Sequence, residues 1–272
     1  MRIPRIYLPI TLIPGHSIEL DPQSAHHVRS VLRLKAGDSV QLFNGGDCQY
    51  AAIVTRISKK SVLLEVGEVS LCLTESALAI HFGLAVSRSE RMDFAIQKSV
   101  ELGVAAITPL FTHRSIVKLE EIRGARKQSH WQRIAVNASE QSGRTRVPEI
   151  RDPLPLNSWL LECRGLKIFL DPCSARRLQD LDATPQSVWL LSGPEGGFPV
   201  HERELAVNAG FIGVNLGPRI LRTETAALAG IALIQAQWGD LGSRKRSHRS
   251  SQSLKPELIE VPENSSVEGQ CR

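Results

Sequence analysis

The chain has 272 residues and a mass of 30.0 kDa, with 42% hydrophobic and 22% charged residues. This composition is typical of a globular protein of one large or two ordinary domains, and we expect two. The formal net charge of +5 and the pI near 9.1 favour a polyanionic partner without identifying it. No apolar run approaches the ~18 residues that a membrane span requires, so we expect a soluble cytoplasmic protein without a membrane partner.

Neither a metal nor a disulfide framework is expected. The cysteines are odd in number, lie far apart and lack Cys-x-x-Cys spacing. They are Cys48, Cys72, Cys163, Cys173 and Cys271. The pair His26-His27 has no further ligand at metal-binding spacing. Pro4, Pro9 and Pro14 interrupt any apolar helix of a targeting segment at the start of the chain.

The first predicted helix covers residues 24–33, where Val28, Val31 and Leu32 recur at helical spacing. Beyond it the hydrophobic period changes from that of a helix to that of strands. Three predicted strands follow, at Val40–Leu42, Tyr50–Ile57 and Val62–Val66. With tight turns between them, these runs predict a small antiparallel sheet or barrel.

Basic side chains are frequent in this N-terminal module. They are Arg29, Arg33, Lys35, Arg56, Lys59 and Lys60. Two interpretations stay open at this point: the charges contact the phosphates of a nucleic acid, or they only solvate the surface of a β-module.

From about residue 75, strands and helices alternate, which predicts a parallel sheet covered by helices on both faces. The predicted strands are Ile80–Val86, Ala105–Phe111, Lys167–Leu170, Val188–Leu191 and Gly213–Leu216. The predicted helices are Ser89–Leu102, Gln128–Gln141 and Thr223–Trp238. The residues Ser-Arg-Ser-Glu at 87–90 fit a capping box at the start of the first of these helices.

The helix ending near Gln141 runs into the polar segment Glu-Gln-Ser-Gly-Arg-Thr-Arg at residues 140–146. Hydrogen-bonding side chains around a capping glycine are typical of the rim of a pocket. An exposed helix end with arginines near the negative end of the helix dipole would show the same pattern.

Two glycine-bearing loops follow two predicted strands, at residues 192–197 and 217–222. Ligands of open α/β sheets bind outside the carboxyl ends of strands, so both loops are predicted to line one pocket. Neither G-x-G-x-x-G nor the P-loop sequence is present, which disfavours dinucleotide and triphosphate sites. Taken alone, each loop also fits an ordinary tight turn.

The motifs GPEGG and LGPRILRTETA resemble, in this order and separation, the cofactor loops of SPOUT methyltransferases that bind S-adenosylmethionine (SAM). The closer likeness is to the RsmE family, which methylates N3 of a uridine in 16S ribosomal RNA of the small subunit. The segments NASEQSGR and HHVRSVLRLKAGDSVQLFNGG resemble the same family. The likeness extends over roughly residues 1–240.

The resemblance implies an α/β fold with two domains. A PUA-like, RNA-binding β-barrel domain would occupy residues 1–73, and a SPOUT domain with a trefoil-knotted parallel sheet would occupy residues 74–240. The remaining residues, 241–272, are rich in serine and charge, and we predict that they form a disordered tail.

The resemblance also implies roles for individual residues. SAM would contact Leu191, Gly193, Glu195, Gly196, Leu216, Gly217, Ile220 and Leu221. A uracil N3 carries a proton and is a poor nucleophile until the proton is lost. Arg222 is therefore predicted to stabilise charge on the uracil carbonyl oxygens or to grip a phosphate, with an ion pair to Glu224 or Glu195 as its alternative. Glu140 is a weaker candidate for accepting the proton. The predicted RNA contacts are Arg29, Arg33 and Arg144.

A homodimer is expected, because SPOUT enzymes usually complete each pocket at a subunit interface and residues 223–238 carry much apolar surface. Two other functions are weighed against methyl transfer to 16S ribosomal RNA or the small ribosomal subunit. One is a catalytically inactive RNA-binding ribosome assembly factor, which the intact motifs disfavour. The other is a nucleotide-phosphate enzyme that uses GPEGG as an anion cradle, which the missing P-loop lysine disfavours.

Overall fold

The computed structural model describes residues 3–59, 61–115 and 125–242. One hydrophobic core forms within residues 6–66, and the remaining core clusters form within residues 78–234. The predicted tail lies, from residue 243 onward, outside the described residues, as does Lys60.

The N-terminal core is covered by a sheet whose strands alternate buried and exposed residues. Its strands are β1 (Arg5–Tyr7), β2 (Ser17–Glu19), β3 (Ser39–Phe43), β4 (Cys48–Ile57) and β5 (Val62–Leu71). Among the described residues they form a five-stranded sheet in the order β1, β3, β4, β5, β2, in which the β1–β3 pair is parallel and the others are antiparallel. The side chains of Val54, Val62 and Leu64 are fully buried, so one face of this sheet packs on the core.

The predicted N-terminal helix is present, but it is irregular. It consists of α1 (Pro22–His26) followed by a π-helical turn (His27–Val31). It begins earlier than predicted because the Asp21 carboxylate accepts hydrogen bonds from two backbone N–H groups of the first turn. The π-helical turn changes the angle between successive side chains, so Val28 is buried whereas Val31 is 61% exposed. The prediction that Val31 faces the core is wrong.

The C-terminal part alternates strands and helices as predicted. The strands are β6 (Ala79–Ala85), β7 (Ala106–Phe111), β8 (Glu149–Ile150), β9 (Leu154–Pro155), β10 (Leu166–Leu170), β11 (Ser187–Ser192) and β12 (Ile212–Val214). The helices are α2 (Ser89–Glu101), α3 (Ala125–Ser142), α4 (Leu156–Glu162), α5 (Val200–Asn208) and α6 (Thr223–Trp238). The capping box predicted for α2 is wrong: Arg88 is the N-cap residue and no side chain caps the helix.

Within the described residues, these strands form a parallel sheet in the order β12, β10, β11, β6, β7, β8, with β9 also paired to β7. The predicted parallel α/β architecture is confirmed. Strand β11 is buried on both faces, as its continuous apolar sequence predicts. The consequence for function is that β12, β10 and β11 are neighbours, so their carboxyl ends lie side by side.

The trefoil knot and the closure of the N-terminal sheet into a barrel stay predictions, because strand order and pairing describe neither. None of the helices among the described residues is both long and apolar enough to cross a bilayer.

Candidate cofactor and RNA site

A cavity of about 550 Å³ lies at the carboxyl ends of β10, β11 and β12. The last residues of these strands, Leu170, Ser192 and Val214, all line it. Open α/β sheets bind ligands at this position, and known small-molecule sites enclose roughly 300–1,000 Å³.

Both glycine-bearing loops border this cavity, as their positions after strand ends predict. Of the residues predicted to contact SAM or substrate, those that line it are Gly193, Glu195, Gly196, Leu216, Gly217, Ile220, Leu221 and Arg222. Ile220 is 95% exposed, so it lies at the lip of the cavity and does not enclose a slot.

Leu191 does not line the cavity. Its side chain is fully buried and belongs to the core cluster that contains Trp159 and Phe169. Successive residues of a strand point to opposite faces, which separates Leu191 from its neighbour Ser192. The Leu191 side chain therefore faces the core while Ser192 lines the cavity, and a contact between Leu191 and the cofactor stays a prediction.

The first loop needs glycine at two positions for different reasons. A Cβ atom at Gly193 would lie 2.9 Å from the Phe198 ring. Gly197 has a φ of +65°, in the left-handed region, and its N–H donates to the Pro194 carbonyl over 2.8 Å. The loop is therefore a tight turn packed directly against an aromatic ring.

Two arginines from distant segments, which also line the cavity, hold this loop in place. Arg91 Nη1 pairs with Glu195 Oε1 at 3.0 Å, and Arg114 Nη1 donates to the Gly196 carbonyl over 2.7 Å. The other carboxylate oxygen, Glu195 Oε2, is buried and has no hydrogen-bond partner among the described residues. A buried carboxylate oxygen without a partner is costly, and Glu195 lines the cavity, so a hydroxyl or ammonium group of a ligand would satisfy it.

Asp171 and Arg203 form a second ion pair on the cavity wall, with Asp171 Oδ2 2.6 Å from Arg203 Nη2. Asp171 Oδ1 accepts a hydrogen bond from the Cys173 backbone N–H. Desolvation lowers the pKa of Arg203, but the charge and hydrogen bond of Asp171 outweigh it, so this pKa is raised. Asp171 directly follows a predicted strand, so the strand-end argument marks its position; no sequence signal marks Arg91, Arg114 or Arg203.

Arg222 is exposed at the edge of the cavity, where it is the N-cap residue of α6. Its side chain makes no ion pair within the described part of the chain, and Glu195 pairs with Arg91 instead. The alternative in which Arg222 pairs with Glu195 or Glu224 is therefore not realised in this structure. Its guanidinium remains available to a substrate.

Neither Glu140 nor Arg144 lines this cavity; they lie near the end of α3, where it meets strand β1 of the N-terminal sheet. Glu140 Oε1 accepts a hydrogen bond from the Tyr7 N–H of β1 over 3.0 Å. Arg144 is 6% exposed, pairs with Glu75 at 2.6 Å and donates to the Val100 and Val104 carbonyls.

The two predictions for these side chains are corrected accordingly. The Arg144 guanidinium is buried and fully engaged inside the protein, so it is not placed to contact RNA. Glu140 does not border the cavity of its own chain, so it is not placed to accept a proton there. Segment 140–146 contacts the N-terminal sheet, because the Arg144 carbonyl also accepts a hydrogen bond from Arg5 Nη2 and Arg146 pairs with Asp47.

The position of Glu140 makes stability depend on pH. Burial raises the pKa of Glu140 from 4.5 to about 7, against the opposing effects of the Tyr7 N–H and the Arg5 charge. A raised carboxyl pKa means that the folded state loses stability as pH rises from about 4.5 through about 7. We expect Glu140→Gln to remove this loss, since its amide oxygen still accepts a hydrogen bond from the Tyr7 N–H. The free energy of unfolding of the variant minus that of wild type should therefore be larger at pH 8 than at pH 4.5, by up to roughly 3 kcal/mol.

Urea unfolding of both proteins at the two pH values measures this difference. Glu204→Gln, at an exposed position on α5, serves as the control and should show no such trend. The prediction would be contradicted if Glu140→Gln changed the free energy of unfolding by the same amount at both pH values.

The predicted RNA contacts Arg29 and Arg33 lie on the N-terminal domain. Arg29 Nη1 donates to the Ser58 carbonyl over 2.9 Å and also bonds the Lys59 carbonyl, which ties it to the β4–β5 turn. Arg33 is exposed and has a φ of +55°. Their contacts with RNA remain predictions. No cluster of three or more His, Cys, Asp or Glu side chains suited to a metal occurs in the described ranges.

Models of known protein families match both parts of the chain. A model described as an RNA methyltransferase PUA domain matches residues 20–67, and one described as an RNA methyltransferase domain matches residues 74–235. The parallel sheet, the strand-end cavity and these matches define the class: an RNA methyltransferase with an N-terminal PUA domain.

Close relatives narrow this class. The chain is 37% identical over 242 residues to ribosomal RNA small subunit methyltransferase E of Buchnera aphidicola subsp. Schizaphis graminum, an overlap of 88% of this chain and 98% of the relative. The chain belongs to the ribosomal RNA small subunit methyltransferase E family, which confirms the predicted family.

Two solved structures support the same assignment. Methyltransferase E of Neisseria gonorrhoeae, bound to SAM, has a TM-score of 0.83 and 37% identity, with 88% of this chain and 99% of that chain covered. A Legionella pneumophila protein in complex with SAM has a TM-score of 0.86 and 41% identity, with 88% of this chain and 100% of that chain covered.

Proposed function

We propose that this protein transfers the methyl group of SAM to N3 of a uridine in 16S ribosomal RNA of the small subunit. The observation that carries the proposal is the strand-end cavity, which both glycine-bearing loops border. Its support is the family membership and the likeness to structures that contain SAM.

The residues of the cavity fit such a cofactor. Those that would hold it are Gly193, Glu195, Gly196, Leu216, Gly217, Ile220 and Leu221. The unpartnered Glu195 Oε2 would accept a hydrogen bond from a hydroxyl or ammonium group. When bound, SAM supplies an electrophilic methyl carbon, and the protein contributes chiefly by holding the reacting atoms in line.

In the proposed mechanism, the uridine leaves its stack and enters the mouth of the cavity. N3 loses its proton to solvent and forms a new N–C bond with the methyl carbon. The bond between that carbon and sulfur breaks, with its electron pair kept by sulfur, so the products are N3-methyluridine, S-adenosylhomocysteine and a proton. Arg222 stabilises the negative charge that spreads onto the uracil carbonyl oxygens as the proton leaves.

We also propose that the protein works as a homodimer in the cytoplasm. Two exposed apolar side chains support self-association: Ile220 at the lip of the cavity is 95% exposed, and Leu233 on α6 is 46% exposed. A second copy would cover these side chains. Light scattering that finds a fully active single chain at assay concentration would contradict the dimer.

The proposed activity can be tested in two steps. Calorimetry should show that each chain has a single site, which binds either SAM or S-adenosylhomocysteine. Labelled SAM, incubated with small subunits from cells lacking the protein, should then give one N3-methyluridine, located by mass spectrometry of 16S fragments; naked 16S RNA forms the parallel arm. Absent SAM binding would refute the methyltransferase, and RNA binding without SAM binding would favour the inactive assembly factor.

A further inference from the structure

The cavity is bordered by more positive than negative charge. Its lining residues include the arginines Arg91, Arg114, Arg203, Arg219 and Arg222, and the carboxylates Asp171 and Glu195. Both carboxylates are already paired, Asp171 with Arg203 and Glu195 with Arg91. Three arginines of the lining therefore carry charge that no lining carboxylate neutralises.

This excess does not suit the proposed cofactor. SAM carries a sulfonium and an ammonium group against one carboxylate, so it is cationic at neutral pH. A cationic ligand gains nothing from three surplus guanidinium groups, whereas a polyanion is attracted by them. The surplus charge therefore suits the second substrate, and this argument rests on the proposed function.

Of these three arginines, Arg114 follows strand β7 and contacts the first loop, whereas Arg219 belongs to the second loop. Arg114 is exposed and rests on the first loop, where one of its five N–H groups donates to the neutral Gly196 carbonyl. Arg219 is exposed in the second loop and makes no ion pair within the described part of the chain. Both retain a full charge and free donors for an anion.

We propose that Arg114 and Arg219 bind phosphates of the RNA strand that flank the target uridine, while Arg222 acts on the base between them. Backbone contacts fix the position of a nucleic acid without reading its sequence. A base that has left its stack needs such contacts, because its neighbours no longer hold it in place. Guanidinium groups suit this role because their planar donors match phosphate oxygens in pairs. Arg114 and Arg219 are thus positioning residues for the substrate.

The salt dependence of RNA binding tests this proposal. The dissociation constant of unmethylated 16S RNA transcript is measured over a series of KCl concentrations, with S-adenosylhomocysteine present. The logarithm of the association constant falls linearly with log [KCl], and each lost phosphate contact makes this slope less steep by about 0.7 for single-stranded RNA. Arg219→Ala should therefore show one such reduction, and Arg219→Ala with Arg114→Ala should show about two.

Matched variants separate this role from a structural one. Arg219 makes no side-chain hydrogen bond or ion pair with the described residues, so Arg219→Ala is the principal variant, and Arg219→Lys should restore most of the slope. Arg133→Ala, at an exposed position on α3 away from the cavity, should leave the slope at the wild-type value. SAM affinity should be unchanged by Arg219→Ala.

A wild-type slope in both Arg219→Ala and the double variant would overturn the proposal, as would a loss of SAM affinity in Arg219→Ala. The same wild-type preparation is assayed for SAM binding and methyl transfer. If it fails those assays, the proposed function fails, whatever the slopes. If it passes and the slopes do not change, only the phosphate contacts are refuted.

Discussion

Arg222→Ala is expected to slow methyl transfer by about 10²–10³-fold at saturating RNA and SAM, the effect of removing one donor that stabilises developing negative charge. The guanidinium lies exposed at the cavity edge, and no ion pair among the described residues occupies it. The substitution should not affect folding, because the Arg222 side chain makes no capping hydrogen bond to α6. SAM affinity should stay near the wild-type value, since the proposed partner of Arg222 is the uracil.

Single-turnover methyl transfer and calorimetry with SAM measure these two quantities separately. Arg222→Lys keeps the charge but loses the planar donors, so an intermediate rate is expected. Arg133→Ala is the control and should react at the wild-type rate. A well-folded Arg222→Ala protein with wild-type turnover would remove this residue from the mechanism.

Arg144→Ala is expected to lower the free energy of unfolding by about 3–5 kcal/mol, because it leaves the Glu75 carboxylate buried without its partner. The two side chains are only 8% and 15% exposed, and their atoms approach to 2.6 Å. Arg144 also donates to the Val100 and Val104 carbonyls, so the substitution removes these two hydrogen bonds as well, although the Val100 carbonyl still accepts from the Gly103 N–H.

Urea unfolding measures this loss, and Arg146→Ala provides the matched control. Arg146 pairs with Asp47, but both side chains are more than half exposed, at 57% and 55%, so its removal should cost less than about 1 kcal/mol. Exchanging both buried partners, Arg144→Met with Glu75→Leu, should recover part of the loss, since no lone charge remains but the Thr145 and Arg146 N–H groups lose the Glu75 acceptor. If Arg144→Ala instead kept wild-type stability and weakened RNA binding, Arg144 would return to the proposed RNA contacts.

Local patterns in the sequence predict most of the elements. The apolar run before Ser192 and the helix Thr223–Trp238 are recognisable because hydrophobic periodicity reports on residues a few positions apart. The glycine-bearing loops are recognisable for the same reason, and the strand-end rule then predicts that they share a pocket. Helix α1 and its π-helical turn depart from prediction because the altered period is not visible in a pattern of three apolar residues.

Side-chain partners that are far apart in the sequence are decided by the tertiary structure. Arg91 and Glu195 are separated by 104 positions, and Arg114 and Gly196 by 82, so no local pattern couples them. The same holds for Glu140. Its polar neighbours in the sequence are typical of a pocket rim, but its carboxylate accepts a hydrogen bond from Tyr7, 133 positions away.

By itself, the sequence determined the alternating α/β architecture, the two loops at strand ends and, through its motifs, the family. Only the tertiary structure decided that β10 lies between β11 and β12, which makes one cavity from three strand ends. It also decided that Leu191 faces the core and that Arg144 is buried against Glu75. Among the described residues, it leaves Arg222 without an ion pair. The physical reason is that burial and ion pairing depend on which distant segments pack together, whereas periodicity and turn chemistry depend only on neighbours along the chain.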